Sequence, residues 1–240
     1  MKKHLLTLAL LGASVAFAQA PAPKKAGIEE KGYVWNAQEG EKIEALHKKG
    51  DVKAGKEAYE VCGACHLPSG AGRPDGTFPQ LAGQHSTVLI KQIADIRAGL
   101  RDNPTMYPFA ITLTDPQELA DVAAYINSLC IPTNHGGYDG PDAAAQIAKG
   151  HDLYEQECKN CHGVNGQGDK EKFYPVIAGQ HYKYLLRQMT AIRDGKRRNA
   201  NPDMVKIIKK YSDDQLVAIS AFQSSLSMPG AMCKAPAKKK

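Results

Sequence analysis

Apolar residues along this chain recur at helical spacing, and the pattern appears twice. In 51–61, Val52, Ala58 and Val61 form a stripe behind Asp51, a capping residue. In 85–99, Val88, Leu89, Ile93 and Ile96 share a face, and Gly99 supplies a stop. A third helix starts at Thr114-Asp115-Pro116 and runs to about residue 129; either Asp115 or Thr114 caps it, and Pro116 fits its first turn. Loops at 67–79 and 103–110 separate these helices, the first rich in Gly and Pro. Helices predicted over 144–157, 181–194 and 212–225 repeat the plan. No segment alternates apolar and polar residues as a half-buried strand does, so the class is all-α.

An offset of 96 positions superposes the two halves. Cys62, Cys65 and His66 fall on Cys158, Cys161 and His162, and Pro79 falls on Pro175. Ala82-Gly83-Gln84-His85 falls on Ala178-Gly179-Gln180-His181. Gln92, Arg97, Gly99, Arg101 and Asn103 fall on Gln188, Arg193, Gly195, Arg197 and Asn199. Two added residues then bring Met106 onto Met204. So many identities in register mark a duplicated unit of roughly 80–90 residues, small enough to need a staple or cofactor. The expected organisation is a first domain at 51–132, a linker at 133–141 and a second domain at 142–232.

The ends differ from this core. Lys2 and Lys3, the apolar run from Leu5 to Phe17 and Ala16-Phe17-Ala18 read as a signal peptide over 1–18, cut after Ala18. Ala18-Gln19-Ala20 is a second cleavage candidate, but it leaves Pro21 after the cut. The run is short for an uncleaved anchor, and no later segment is apolar enough to span a membrane. The expected compartment is the bacterial periplasm. An extension follows at 19–50. Its first part, to Gly32, has the composition of a disordered leader. A charged helical stretch covers 38–49, with Ile43 and Leu46 too few for a core of their own. Trp35, the only tryptophan, either anchors this segment across the first domain or offers a docking strip. A basic tail closes the chain at 233–240.

The net charge of +6 is uneven. Residues 19–140 carry 12 basic and 15 acidic side chains, whereas 141–240 carry 17 and 10. Two uses fit: ordinary solvated surface, or a dipole that orients the chain against a redox partner or an anionic membrane surface. Without a basic recognition motif, nucleic acid is not an expected partner.

The chemistry lies in Cys62-Gly63-Ala64-Cys65-His66 and Cys158-Lys159-Asn160-Cys161-His162. C-x-x-C-H attaches a c-type haem: two thiols add to the porphyrin vinyl groups and the adjacent histidine becomes an axial iron ligand. A structural zinc site pairs its knuckles some 15–20 residues apart, and a thioredoxin-like motif needs a βαβ context; neither fits here. Two covalent haem c groups are expected. Met106 lies 40 residues after His66, and Met204 lies 42 after His162, each in a polar loop before a last helix. A soft thioether there raises the reduction potential and completes the iron's coordination. Met189, Met228 and Met232 are the alternatives, less well matched between halves. With six ligands on each iron, outer-sphere electron transfer is expected rather than enzymatic chemistry.

Around the haems, Pro79 and Pro175 are positioned to offer a backbone carbonyl to the histidine Nδ1–H, unless they are ordinary loop prolines. Arg97, Arg101, Arg193 and Arg197 either pair with haem propionates or complement helix ends. Cys130 and Cys233 follow the last helix of each unit; in an oxidising compartment they form a disulfide, or else two free thiols or an intermolecular bridge.

Taken together, 55–66, 78–85, 97–106 and 119–125, with 158–162, 175–180, 193–204 and 216–222, resemble the dihaem cytochromes c of the c4 type. The resemblance covers about 51–228 and implies two class I cytochrome c folds in tandem, related by a pseudo-twofold axis. It also implies a periplasmic carrier between a respiratory donor and a terminal oxidase or reductase. Two other roles compete: an electron-transfer subunit of a larger periplasmic dehydrogenase, or a dihaem peroxidase. The extension at 19–50 departs from that pattern.

Overall fold

The computed structural model describes residues 27–133 and 136–233; the leader at 1–18, the start of the extension and the tail after Cys233 lie outside the described residues. The first unit holds α2 (Val52–Ala58), α3 (Glu60–His66), α4 (Ser86–Arg97), α5 (Tyr107–Ala110) and α6 (Pro116–Ser128), preceded by α1 (Gly40–Leu46) of the extension. The second holds α7 (Ala143–Leu153), a π-helical turn at Tyr154–Cys158, α8 (Lys159–His162), α9 (Tyr182–Arg193), α10 (Pro202–Ile208) and α11 (Asp213–Ser225). Among the described residues there is no strand, only isolated bridges.

Local chemistry starts the helices where expected. The Asp51 carboxylate accepts from the amides of Lys53 and Ala54. Asp115, rather than Thr114, caps α6 by accepting from Gln117 N at 2.8 Å. Ser212 and Gln215 form a reciprocal capping box on α11. The methionine loops are more helical than expected: Met106 precedes α5, and Met204 lies inside α10, where Pro202 starts the helix and Asn201 caps it.

Each unit is built on one close crossing, α2 over α6 and α7 over α11. Gly55 and Gly150 sit at the crossings, where a Cβ would collide with the carbonyl oxygens of Asp121 and Ala218. Gly150→Ala should therefore cost about 1–3 kcal/mol or more through overpacking, read as a drop in the thermal unfolding midpoint of the holoprotein. From these glycines the chain runs seven residues to Cys62 but eight to Cys158. The extra residue is absorbed by the π-helical turn at Tyr154–Cys158. Tyr59 and Tyr154, four residues beyond each glycine, keep the same job: their hydroxyls donate to Leu67 O (2.9 Å) and Gly163 O (2.6 Å). The first core gathers Tyr59, Leu89, Ile90, Leu119, Val122 and Ile126; the second gathers Met189, Ile192, Ile208, Leu216 and Ile219.

The two units meet along a pseudo-twofold seam. Gln84 donates from Nε2 to Val176 O and accepts from Val176 N at Oε1, both at 2.9 Å; Gln180 likewise donates to Gln80 O at 2.9 Å and accepts from Gln80 N at 3.0 Å. His85 Nε2 donates to Gln167 O and His181 Nε2 to Ala71 O, each at 2.8 Å. Each of these bonds has its counterpart 96 positions away, which is the signature of a self-complementary interface made from duplicated surfaces.

A disulfide joins Cys130 to Cys233. It pins the chain after α11 beside Ile131, whose amide donates to Ala231 O at 2.8 Å while Cys233 N donates to Ile131 O at 2.7 Å. The ring spans a separation of 103 residues, so Cys130→Ser with Cys233→Ser should lower stability by up to about 4–5 kcal/mol in the chain-entropy picture. Denaturant midpoints of the two holoproteins check this.

The extension departs most from expectation. The described part of the supposed leader is seated on the second unit, with Ile28 N donating to Arg198 O (2.8 Å) and Glu29 paired with Arg198 at 2.5 Å. Its Ala, Pro and Lys content concealed one apolar and one acidic contact. Trp35 stacks on Tyr174 of the second unit, not on the first. The chain then crosses to the first unit, where Ala45 of α1 is fully buried in that core.

Candidate haem sites and the seam between them

His66 ends α3 and is 4% exposed. Its Nδ1 lies 2.9 Å from Pro79 O, and His162 Nδ1 lies 3.3 Å from Pro175 O. A carbonyl only accepts, so each Nδ1 carries the proton and each Nε2 keeps its lone pair. Burial pushes both imidazoles below their ordinary pKa, against the pull of the carbonyl. Neutral imidazole with one oriented nitrogen is the form a metal ligand needs. The edge of Phe78 supports the His66 ring at 6.0 Å between centroids.

Cys62, Cys65, Cys158 and Cys161 are all unbridged. Burial raises the Cys62 thiol, and it pushes Cys158 up to about 12. Covalent thioether attachment leaves no charge on these sulfurs to bury.

In the second unit, Cys158, His162 and Met204 line one cavity with Met189, Ile207, Ile208, Tyr211, Ile219 and Gln223. Met189 is buried in the helical core and Ile93 occupies its place in the first unit, so it reads as a wall. Met228 and Met232 pack around Ile131. Met106 is half-buried, with its amide donating to Asn103 Oδ1 at 3.2 Å.

The four arginines separate into two pairs. Arg97 is engaged by Glu41 and Leu113 O, and Arg193 by Asp194 (2.9 Å) and Asp213 (2.5 Å). Arg101 and Arg197 instead converge in the seam. Arg101 donates to Gln92 (2.8 Å), Tyr184 (3.2 Å) and Gln188 (3.4 Å). Arg197 donates to Gln188 (2.9 Å), Gln92 (3.0 Å) and Asn199 (3.2 Å). Next to them, buried Asp95 takes Lys91, Lys42 (3.0 Å) and Asn199 (2.9 Å). Burial, followed by the nearby Arg101 charge, lowers Arg197 to about 10; burial lowers Lys91 to about 8 despite Asp95. One carboxylate thus pairs with Lys42 and Lys91, while Arg101 and Arg197 beside it have only neutral partners. Buried cations call for anions, and the propionates of two haems are anions of the right kind. Together with free thiols and neutral, oriented histidines, this excess makes the residues present a fit for the group.

Sequence reasoning missed the seam. Gln84, Gln180, His85, His181, Gln92 and Gln188 recur in register, which was a usable signal, but nothing in a periodic pattern says that the two copies face each other. Lys42, Lys91 and Asp95 gave no signal, since charged residues are seldom this deeply buried.

Fold and site define a helical protein with two c-type haem centres, built for electron transfer. The cytochrome c family profile matches the chain twice, over residues 52–130 and 147–227. A cytochrome c4 from Azotobacter vinelandii is 34% identical over 193 residues, covering 75% of this chain and 91% of that protein. A thiosulfate dehydrogenase electron acceptor from Stutzerimonas stutzeri (strain A1501) is 33% identical over 171 residues, covering 69% and 78%. The crystal structure of reduced recombinant cytochrome c4 from Pseudomonas stutzeri superposes with a TM-score of 0.63 at 32% identity, covering 74% of this chain and all of that one. The chain belongs to the cytochrome c family, as a tandem dihaem protein of the c4 type carrying two covalently bound haem c groups.

Proposed function

We propose that this protein is a periplasmic electron carrier, passing electrons between a respiratory donor and a terminal oxidase or reductase through two His/Met-ligated haems. His66 and Met106 would hold the first iron, His162 and Met204 the second. Cys62, Cys65, Cys158 and Cys161 would make the thioether links. Haem supplies one-electron cycling between ferric and ferrous iron. The protein's own part is to keep each histidine neutral and aimed, to offer a thioether to the iron, and to exclude water with apolar walls. Arg101 and Arg197 would hold the propionates in the seam. The domains take the limits 51–132 and 142–232, and 1–18 directs export.

The observation that carries this reading is the pairing of two matched histidine–carbonyl sites across one symmetric seam. An enzyme of the peroxidase kind needs an open iron and acid–base groups, and the recurring His85 and His181 are committed to backbone carbonyls across the seam. Among the described residues no helix is long and apolar enough to cross a membrane. The basic second half offers a face for an acidic partner or an anionic membrane surface.

Stopped-flow mixing of the reduced holoprotein tests the proposal. Rapid oxidation by membranes containing a terminal oxidase, without turnover of added peroxide, is the expected result. Fast peroxide turnover would overturn it. The match to a thiosulfate dehydrogenase electron acceptor favours a second reading, service to one periplasmic dehydrogenase. Reduction by a purified thiosulfate dehydrogenase, faster than by a quinol-oxidising membrane fraction, would select that reading.

A further inference from the structure

Duplication alone would produce two similar haem sites. The extension breaks that symmetry, because 27–35 packs on the elements that carry Met204 and His162 of the second site and has no counterpart at the first. On the methionine side, Ile28 packs against the same buried cluster as Met204 and Val205, while Glu29 holds Arg198 in the stretch leading into α10. On the histidine side, Trp35 stacks on Tyr174 with ring centroids 6.2 Å apart, and it meets Phe173 edge-on at 6.4 Å. The Lys91 ammonium of the first unit lies 5.2 Å from the Trp35 ring centre, so the indole is gripped from both units.

Phe173, Tyr174 and Pro175 form the turn whose last carbonyl accepts from His162. That turn is not at rest. Phe173 has φ +57°, which a bulky residue adopts only under constraint. Tyr174 is tied back by paired backbone bonds with Asp169, at 2.9 and 3.0 Å. In the first unit Thr77 and Phe78 hold the equivalent places, and Arg73 rather than the extension covers Phe78.

We infer that Trp35 is a positioning residue for the second haem: it clamps the Phe173–Pro175 turn, sets the hydrogen bond to His162 Nδ1, and so makes the second reduction potential differ from the first. The inference rests on the electron-transfer reading with His162 as axial ligand. The carbonyl raises the basicity of the ligating nitrogen and favours ferric iron. Without the clamp the turn relaxes towards solvent, the carbonyl withdraws and the ferric form loses support.

The test uses the two-haem holoprotein and its Trp35→Ala, Trp35→Leu and Trp35→Phe variants. Potentiometric titration follows the two waves, and NMR of the reduced protein follows exchange of the His162 and His66 Nδ1 protons. In Trp35→Ala the second potential should rise and the first should stay. The His162 proton should exchange several-fold faster, with that of His66 unchanged. Trp35→Phe, which keeps a stacking ring, should restore both. If Trp35→Ala does not hold two haems, Trp35→Leu decides, since it keeps apolar bulk and loses the stacking plane. Unchanged waves and exchange would overturn the inference. So would equal movement of both potentials, which signals general loosening, or a fall in the second, which signals water reaching the iron. Failure of the unmodified holoprotein to show two reversible waves would instead remove the underlying reading, and the inference with it.

Discussion

Met204→Ala should lower the second haem's potential by a sizeable part of the roughly 0.8 V range that axial ligands command. Met204 faces the same cavity as His162 and Cys158, walled by Ile207, Ile208 and Ile219. A thioether is a soft donor that favours ferrous iron, so its loss favours ferric iron. The vacated position also opens the metal. Carbon monoxide should then bind the reduced variant at one site per chain, while the unmodified protein takes none. The helix should survive, because Pro202 and the Asn201 cap that start α10 are untouched. Truncating a Met side chain in this cluster should also cost about 2–5 kcal/mol, visible in the unfolding midpoint. An unaltered potential and spectrum would show that Met204 is not the ligand.

The second large effect is expected from Cys158→Ala combined with Cys161→Ala. Haem content should fall from two groups to one, read as the loss of one haem mass from the intact protein. The consequence should extend beyond the cofactor. The second core is a small cluster, and Cys158 is itself packed against it. A domain of that size is marginal without a staple. Hydrogen exchange should therefore rise across α7, α9 and α11. The first unit should keep its protection, although the seam bonds from Gln84 and His85 would lose their partners. Uniform loss of protection in both units would mean that the two fold as one body.

Much of this was legible beforehand, for identifiable reasons. C-x-x-C-H carries its own spacing chemistry, and a fixed offset of 96 revealed the duplication. Proline at a fixed distance from each histidine pointed to a carbonyl, because only the backbone oxygen is needed and it requires no side-chain identity. What periodicity could not supply was which surfaces meet. Arg101 and Arg197 repeat in register exactly as Arg97 and Arg193 do, yet only the first pair enters the seam. The extension was misread for a related reason. Its contacts are heterogeneous, one isoleucine, one indole, one small helix and ion pairs from Glu29, Glu41 and Lys42, so no stripe announces them. The π-helical turn was equally hidden, since a one-residue insertion between Tyr154 and Cys158 leaves both motifs intact.

The charge cluster at the seam links fold to function. Lys42 comes from the extension, Lys91 and Asp95 from α4, and Arg197 and Asn199 from the second unit. Haem attachment should thus do more than fill two cavities. It should supply the anions this seam lacks and lock the units together.

The most direct measurement is a spectroelectrochemical titration of the purified holoprotein. The account predicts two reversible one-electron waves, two haems per chain, low-spin iron at both sites and a methionine–iron charge-transfer band in the oxidised state. A single haem, or a high-spin iron that binds peroxide without any substitution, would contradict it.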